Sequence, residues 1–395
     1  MTTSIIITIC ILLLLAYIFD VTASRTKMPS VILLLACGWG VKQGADFLQL
    51  TIPDLSEILT VLGTIGLILI VLEGSLELEL NRSRLSFVGK SALVAMIPIL
   101  VLGFGMAYAF HAIEGAGFKM GLANAIPLAV ISSSIAIPTA QHLSARNREF
   151  VTYESSLSDI FGVLIFNFII INDHVELASV GIFFVDLLFI LAISFIATLG
   201  LAYLLSKIKH HVKFAPIVVM LVLIYSVAKI YHLPSLVFIL IFGMFLGNLD
   251  ELQHIPFIQR LRPDVLTNEV QKFKHYVAEF AFLIRALFFL LFGFLIDSAE
   301  LLNPDTILWA VGITAGIFCV RWLSLRLFSI KANPLVFIAP RGLITILLFL
   351  SIPASQSIPV SNRSLVIQVI ILTALVMMVG MMMAENAAAE KKDPD

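Results

Sequence analysis

Charge is scarce in this chain. Only 13% of its 395 residues are Asp, Glu, Lys or Arg, where a soluble domain carries about 25%. Hydrophobic residues make up 60%, and the mean hydropathy is +1.04. A protein that greasy is an integral membrane protein, and its solvent is mostly lipid. The formal net charge of −1 leaves no field to gather nucleic acid or another polyanion. Cysteine is also rare. Cys10, Cys37 and Cys319 sit far apart in apolar runs without ligand spacing, so they read as packing residues, and a disulfide framework is excluded. The eight histidines form no pair at ligand spacing. No glycine pattern for dinucleotide or phosphate and no metalloprotease helix is present, and no serine has a convincing base. Neither an enzyme nor a cofactor is expected.

What the chain has in quantity is long apolar runs. A hydrocarbon core of about 30 Å takes about 20 apolar residues per helix. That ruler predicts thirteen spans, near 4–19, 29–45, 55–79, 87–112, 120–142, 150–172, 178–207, 213–231, 233–248, 275–297, 305–328, 334–352 and 362–384. Lys and Arg crowd alternate loops, among them Arg25, Lys27, Arg82, Arg84, Arg146, Arg148, Lys207, Lys209, Arg260 and Arg262. The opposite loops hold only Lys42, Lys119, Lys229 and Arg363. Basic loops stay in the cytoplasm, so the amino terminus is expected outside and the carboxyl terminus inside the cell membrane. Six spans, a linker and six more place two halves in opposite orientation, as an inverted repeat requires. The expected division is 1–172 for the first repeat, 173–212 for the linker helix, 213–384 for the second repeat and 385–395 for a short cytoplasmic tail.

The informative residues are polar ones where hydrocarbon should be. An ionisable group inside a span is costly and by default functional, facing protein or water; a structural ion pair is the competing reading for any one of them. In the sixth span Ser155, Ser158 and Asp159 share a helix face. At 1.5 Å per residue, Asp159 lies roughly 13 Å inward, near the midplane. Gly162 continues the face and would let another backbone come close. Glu73 ends the third span at a depth comparable to Ser155, whereas Glu77 and Glu79 read as a solvated interface. The fifth span runs "ISSSIAIP", in which Pro138 cannot donate to the carbonyl of Ser134. In the twelfth span Pro340 and Gly342 flank Arg341. Two breaks at corresponding places in two halves point to a transport site. The hydroxyls of the fifth span's three serines and freed carbonyls are hard cation ligands. Arg285, Arg321 and Arg341 also lie inside spans, and a buried arginine needs an anion or the carbonyl end of a broken helix. Equal depth makes Glu154 the expected partner of Arg341.

Taken in order, "LEGSLELEL", "ISSSIAIP", "ESSLSD", "FFLLFGFLID", the arginine of "CVRWLSL" and "PRG" resemble the monovalent cation:proton antiporters. The NhaP/NHE type of sodium/proton exchanger is the branch most similar. The resemblance spans essentially the whole chain. It implies an all-α polytopic fold of about 13 helices with discontinuous fifth and twelfth helices, a core domain moving against a dimerisation domain, and a homodimer. It implies antiport of Na+, with K+ or Li+ as alternatives, for protons across the inner membrane in pH homeostasis, without a cofactor. Residue by residue, Asp159 matches the aspartate that binds cation and proton alternately. Ser155 matches a serine ligand, and Glu73 an acid that reaches the site. Ser132 matches the threonine of a Thr-Asp-Pro break; Glu154 and Arg341 match a supporting ion pair in the core, and Arg321 a core arginine of the eleventh helix. Two departures stand out. Ser158 replaces the asparagine of the usual Asn-Asp pair, and Ser133 replaces the aspartate of the break. The serine-rich break is closer to that of potassium-efflux relatives. A cation channel and a solute symporter on a related fold are the other readings.

Overall fold

The structure is a computed structural model that describes residues 2–26, 29–49, 55–78, 85–141, 143–172, 177–207, 214–231, 235–252 and 263–390. The described residues form helices and no strands. In lipid this is what backbone chemistry demands, since a helix satisfies its own N–H and C=O groups. The first half comprises α1 (Thr2–Thr26), α2 (Ser30–Phe47), α3 (Ser56–Glu77), α4 (Leu85–Glu114), α5 (Phe118–Ala129), α6 (Ser133–Ala140) and α7 (Ala145–Ile171). There follow α8 (Leu177–Lys207), α9 (Phe214–Ile230), α10 (Ser235–Gly247), α11 (Leu249–Leu252), α12 (Pro263–Phe294), α13 (Ser298–Leu301), α14 (Pro304–Leu327), α15 (Leu343–Leu350) and α16 (Arg363–Glu390). Each of the thirteen expected spans falls on helix, and seven described stretches are long and apolar enough to cross a bilayer. The expected fifth span is two helices, α5 and α6. The expected twelfth is a 3-10 turn at Leu335–Phe337 followed by α15.

Packing sorts the helices into two neighbourhoods. In one, α3 lies against α10 and α12, and α12 against α2. Close approach here rests on glycine: a Cβ at Gly38 of α2 would run into the backbone of Leu290 in α12, and one at Gly293 of α12 into the backbone of Leu35. The two glycines face each other across one crossing, and backbone contact replaces the hydrophobic drive that lipid cannot supply. In the other neighbourhood, α4 packs against α5, α7 and α14, α6 against α7, and α14 against α16. The neighbourhoods meet where α3 touches α6, α7 and α15. Most of the polar residues singled out above gather on the second side of that seam, whereas Glu73 on α3 and Arg285 on α12 stand on the first.

Candidate functional site

Two interrupted helices cross at the centre of the site. The first break is Val130–Ile131–Ser132, with Val130 and Ser132 extended, between α5 and α6. The second is the non-helical run 338–342 that leads into α15. They are joined by the Ser132 amide, which donates to the carbonyl of Pro340 at 2.9 Å. Gly342 fits against Ser132: a Cβ there would lie 2.9 Å from the Ser132 Oγ and 2.8 Å from Ile135 Cδ1. Broken helices leave orphan backbone groups that must be satisfied inside the protein. Arg341 serves the end of α5: its Nε donates to Leu128 O at 2.7 Å, its Nη2 to Ala129 O at 2.9 Å, and its Nη1 to Ala339 O at 2.9 Å. Ser158 of α7 serves the break itself, its Oγ accepting from the Ile131 amide at 3.0 Å. Gly162, one turn further along α7, leaves the room that the Val130 side chain occupies.

The break therefore does not sit where proline chemistry alone puts it. Pro138 lies inside α6, and the chain opens six residues earlier. Proline denies the Ser134 carbonyl a donor, but tertiary partners for residues 128–132 decide where the helix ends.

Glu154 and Arg321 form the principal ion pair. The carboxylate accepts from Nη1 at 2.6 Å and Nη2 at 3.0 Å, and Arg321 Nε donates to Leu335 O at 2.7 Å. Exposure is 1% for Glu154 and 2% for Arg321. This corrects the expected pairing of Glu154 with Arg341. Arg341 took the other partner open to a buried guanidinium, the carbonyl end of a broken helix, and a bidentate fork matches a carboxylate better when a second arginine can meet it squarely. Arg341 remains close enough to act on Glu154 through space.

Asp159 lies on α7 beneath the first turn of α6. Its Oδ2 accepts from the Ser133 hydroxyl and, at 3.4 Å, from the Ser133 amide. A carboxylate at a helix N-terminus is favourably placed against the dipole. Among the described residues, its Oδ1 and the Ser155 Oγ are buried without a hydrogen-bond partner. They lie one helical turn apart on the same face. Ser132 and Ser134 share a hydrogen bond at 2.8 Å.

Beside this centre opens a cavity of about 710 Å³, toward the ends of α1, α3, α6 and α7 that carry the basic loops. Glu73, Ser133 and Ser134 line it, with Asp20, Glu77, Thr152, Arg148 and Arg285. Ser133 thus stands between Asp159 and water. The structure brings Asp159, Ser133, Ser155, Ser158 and Ser132 together around the break. It places Glu73 in the cavity they adjoin, without a hydrogen bond to Asp159. Thr152 and Arg148 were missed as cavity residues, although Arg148, Thr152, Ser155 and Asp159 recur at helical spacing, a legible stripe. Asp20 gave no sequence signal beyond its place at the end of an apolar run.

Comparison with known proteins follows the same lines. The family model described as sodium/hydrogen exchanger, transmembrane, matches residues 10–385. A search of the curated proteins finds no match. Among solved structures, the sodium proton antiporter MjNhaP1 from Methanocaldococcus jannaschii at pH 8 is 18% identical, with a TM-score of 0.69 over 96% of this chain and 98% of that one. An electron-microscopy structure of the same antiporter gives 18% identity and a TM-score of 0.70 over 98% and 97%. At that identity the likeness is one of fold.

Proposed function

The chain belongs to the sodium/hydrogen exchanger family, and from that premise we propose that it exchanges a monovalent cation, Na+ first, for protons at Asp159 by alternating access. The observation that carries the reading is the pair of unpartnered buried oxygens, Asp159 Oδ1 and Ser155 Oγ, at the crossing of two broken helices. Leaving such groups without a partner costs roughly 1–3 kcal/mol each, and a carboxylate oxygen beside a hydroxyl is a place that a proton or a small cation can fill. A proton on the carboxylate or a cation between the two oxygens does so in turn. Ser132, Ser133 and the backbone carbonyls of the break supply neutral oxygens that replace part of a cation's hydration shell. Glu73 draws the ion in from the cavity.

One carboxylate that holds either a proton or one cation makes the exchange one for one and electroneutral. The loaded core then crosses with its charge cancelled, whereas the empty, charged core is held back by the cost of charge in lipid. The same reading takes 1–172 and 213–384 as inverted repeats, the amino terminus as outside, the membrane as the cell membrane and the working unit as a homodimer. Arg321, Glu154 and Arg341 brace the crossing and do not touch the ion.

The test is antiport by purified protein in proteoliposomes, followed with a pH-sensitive dye while Na+, K+ and Li+ are added in turn. Dequenching with Na+ supports the reading as stated, and a response to K+ alone replaces sodium with potassium. Current without proton movement indicates a channel, and cation-coupled uptake of an organic solute a symporter.

A further inference from the structure

Of the arginines Arg285, Arg321 and Arg341 inside spans, two are fully engaged. Arg321 is locked to Glu154 and the Leu335 carbonyl, and Arg341 to three carbonyls. The third, Arg285, is not. It lies within α12, which packs directly against α3, and its side chain lines the cavity together with Glu73 and Ser133. Among the described residues it makes no hydrogen bond and no ion pair. Guanidinium stays protonated in proteins, so a permanent positive charge stands in the path by which a cation would reach Asp159. A charge in that position attracts the carboxylate that would receive the arriving ion. The cavity, at about 710 Å³, leaves the side chain room to move.

We infer that Arg285 is a tethered counter-cation for Glu73, competing with the transported ion for that carboxylate and thereby setting the apparent affinity on the cavity side. The inference rests on the antiport reading and adds a residue that tunes it. When no ion is present, the guanidinium swings toward Glu73 and offsets its charge; an arriving cation displaces it. Arg285 is a positioning residue, since it acts through Glu73 and does not contact the ion.

The test compares wild type, Arg285→Gln and Arg285→Lys in proteoliposomes, as cation-driven proton exchange. Wild-type exchange establishes the parent reading independently; its absence for every cation overturns both. With exchange established, Arg285→Gln is expected to lower the apparent KM by about threefold or more, the effect of removing a competing unit charge from nearby even in largely hydrated surroundings. Arg285→Lys, which keeps the charge, is expected to stay within about twofold of wild type in this competition. The gap between Gln and wild type should narrow as choline chloride raises the ionic strength. If Arg285→Gln folds poorly, Arg285→Met takes its place, and in either case the arginine has no effect on the apparent KM once Glu73→Gln has removed the carboxylate charge. An unchanged KM in the Gln variant, equal effects of Gln and Lys, or an undiminished effect without the Glu73 charge overturns the inference and leaves the antiport reading standing.

Discussion

Replacing Arg321 by methionine removes the cation from a pair that water barely reaches. Glu154 would keep a buried carboxylate that has lost two charge-assisted hydrogen bonds of 2.6 and 3.0 Å, and the Leu335 carbonyl would lose its 2.7 Å donor. Removing one partner of a buried pair costs about 3–5 kcal/mol, because the other charge is stranded. Arg341 acts on Glu154 from nearby and offsets part of that, so the expected loss is near the lower end, about 3 kcal/mol, or roughly a hundredfold in the folded-to-unfolded ratio. Replacing both partners by methionine should recover most of the loss, since well-packed apolar residues substitute for a buried pair at little cost. Thermal melting of purified protein in detergent gives the order: wild type and the double variant high, Arg321→Met and Glu154→Met low. Losses that add in the double variant would refute the pairing, as would an Arg321→Met protein that melts like wild type.

Other outcomes follow from the same geometry. Ser133→Ala removes the hydroxyl that holds Asp159 Oδ2 and should cut exchange about tenfold, as expected for one charge-assisted hydrogen bond, while the melting midpoint stays close to wild type; transport and melting are measured on the same preparation. Gly342→Ala puts a methyl 2.8 Å from Ile135 Cδ1 and 2.9 Å from Ser132 Oγ, so it should force the crossing apart at a cost of about 1–3 kcal/mol, visible as a lower melting midpoint and slower exchange. Glu77→Gln, at an exposed position of the cavity mouth, should leave maximal exchange within about twofold and raise the apparent KM modestly at low salt only.

Much of this was legible before any coordinates. Apolar length places helices on every expected span because lipid leaves backbone polar groups no other solution. Asp159 stood out because a carboxylate near the midplane needs a reason to be there. Less legible were the partners. Glu154 lies at similar depth to both Arg321 and Arg341, and depth cannot choose between two arginines on different helices; the choice rests on how α14 and the run 338–342 pack against α7. The position of the break was hidden for a related reason. Pro138 marks a weak point, but the helix opens at 130–132 because Arg341, Ser158 and the Pro340 carbonyl are there to receive the freed groups. Those partners are distant in sequence, and no local rule names them. In sequence Ser133 reads only as a departure from the aspartate that the resemblance implies, and the fold alone puts its hydroxyl on Asp159.

The most direct measurement is exchange by Asp159→Asn, an isosteric change that keeps an oxygen for Ser133 and removes the charge. The protein should insert and melt close to wild type, yet Na+, K+ and Li+ should each fail to drive proton movement in proteoliposomes where wild type responds. Cation-driven pH recovery at the wild-type rate by that variant would contradict the account.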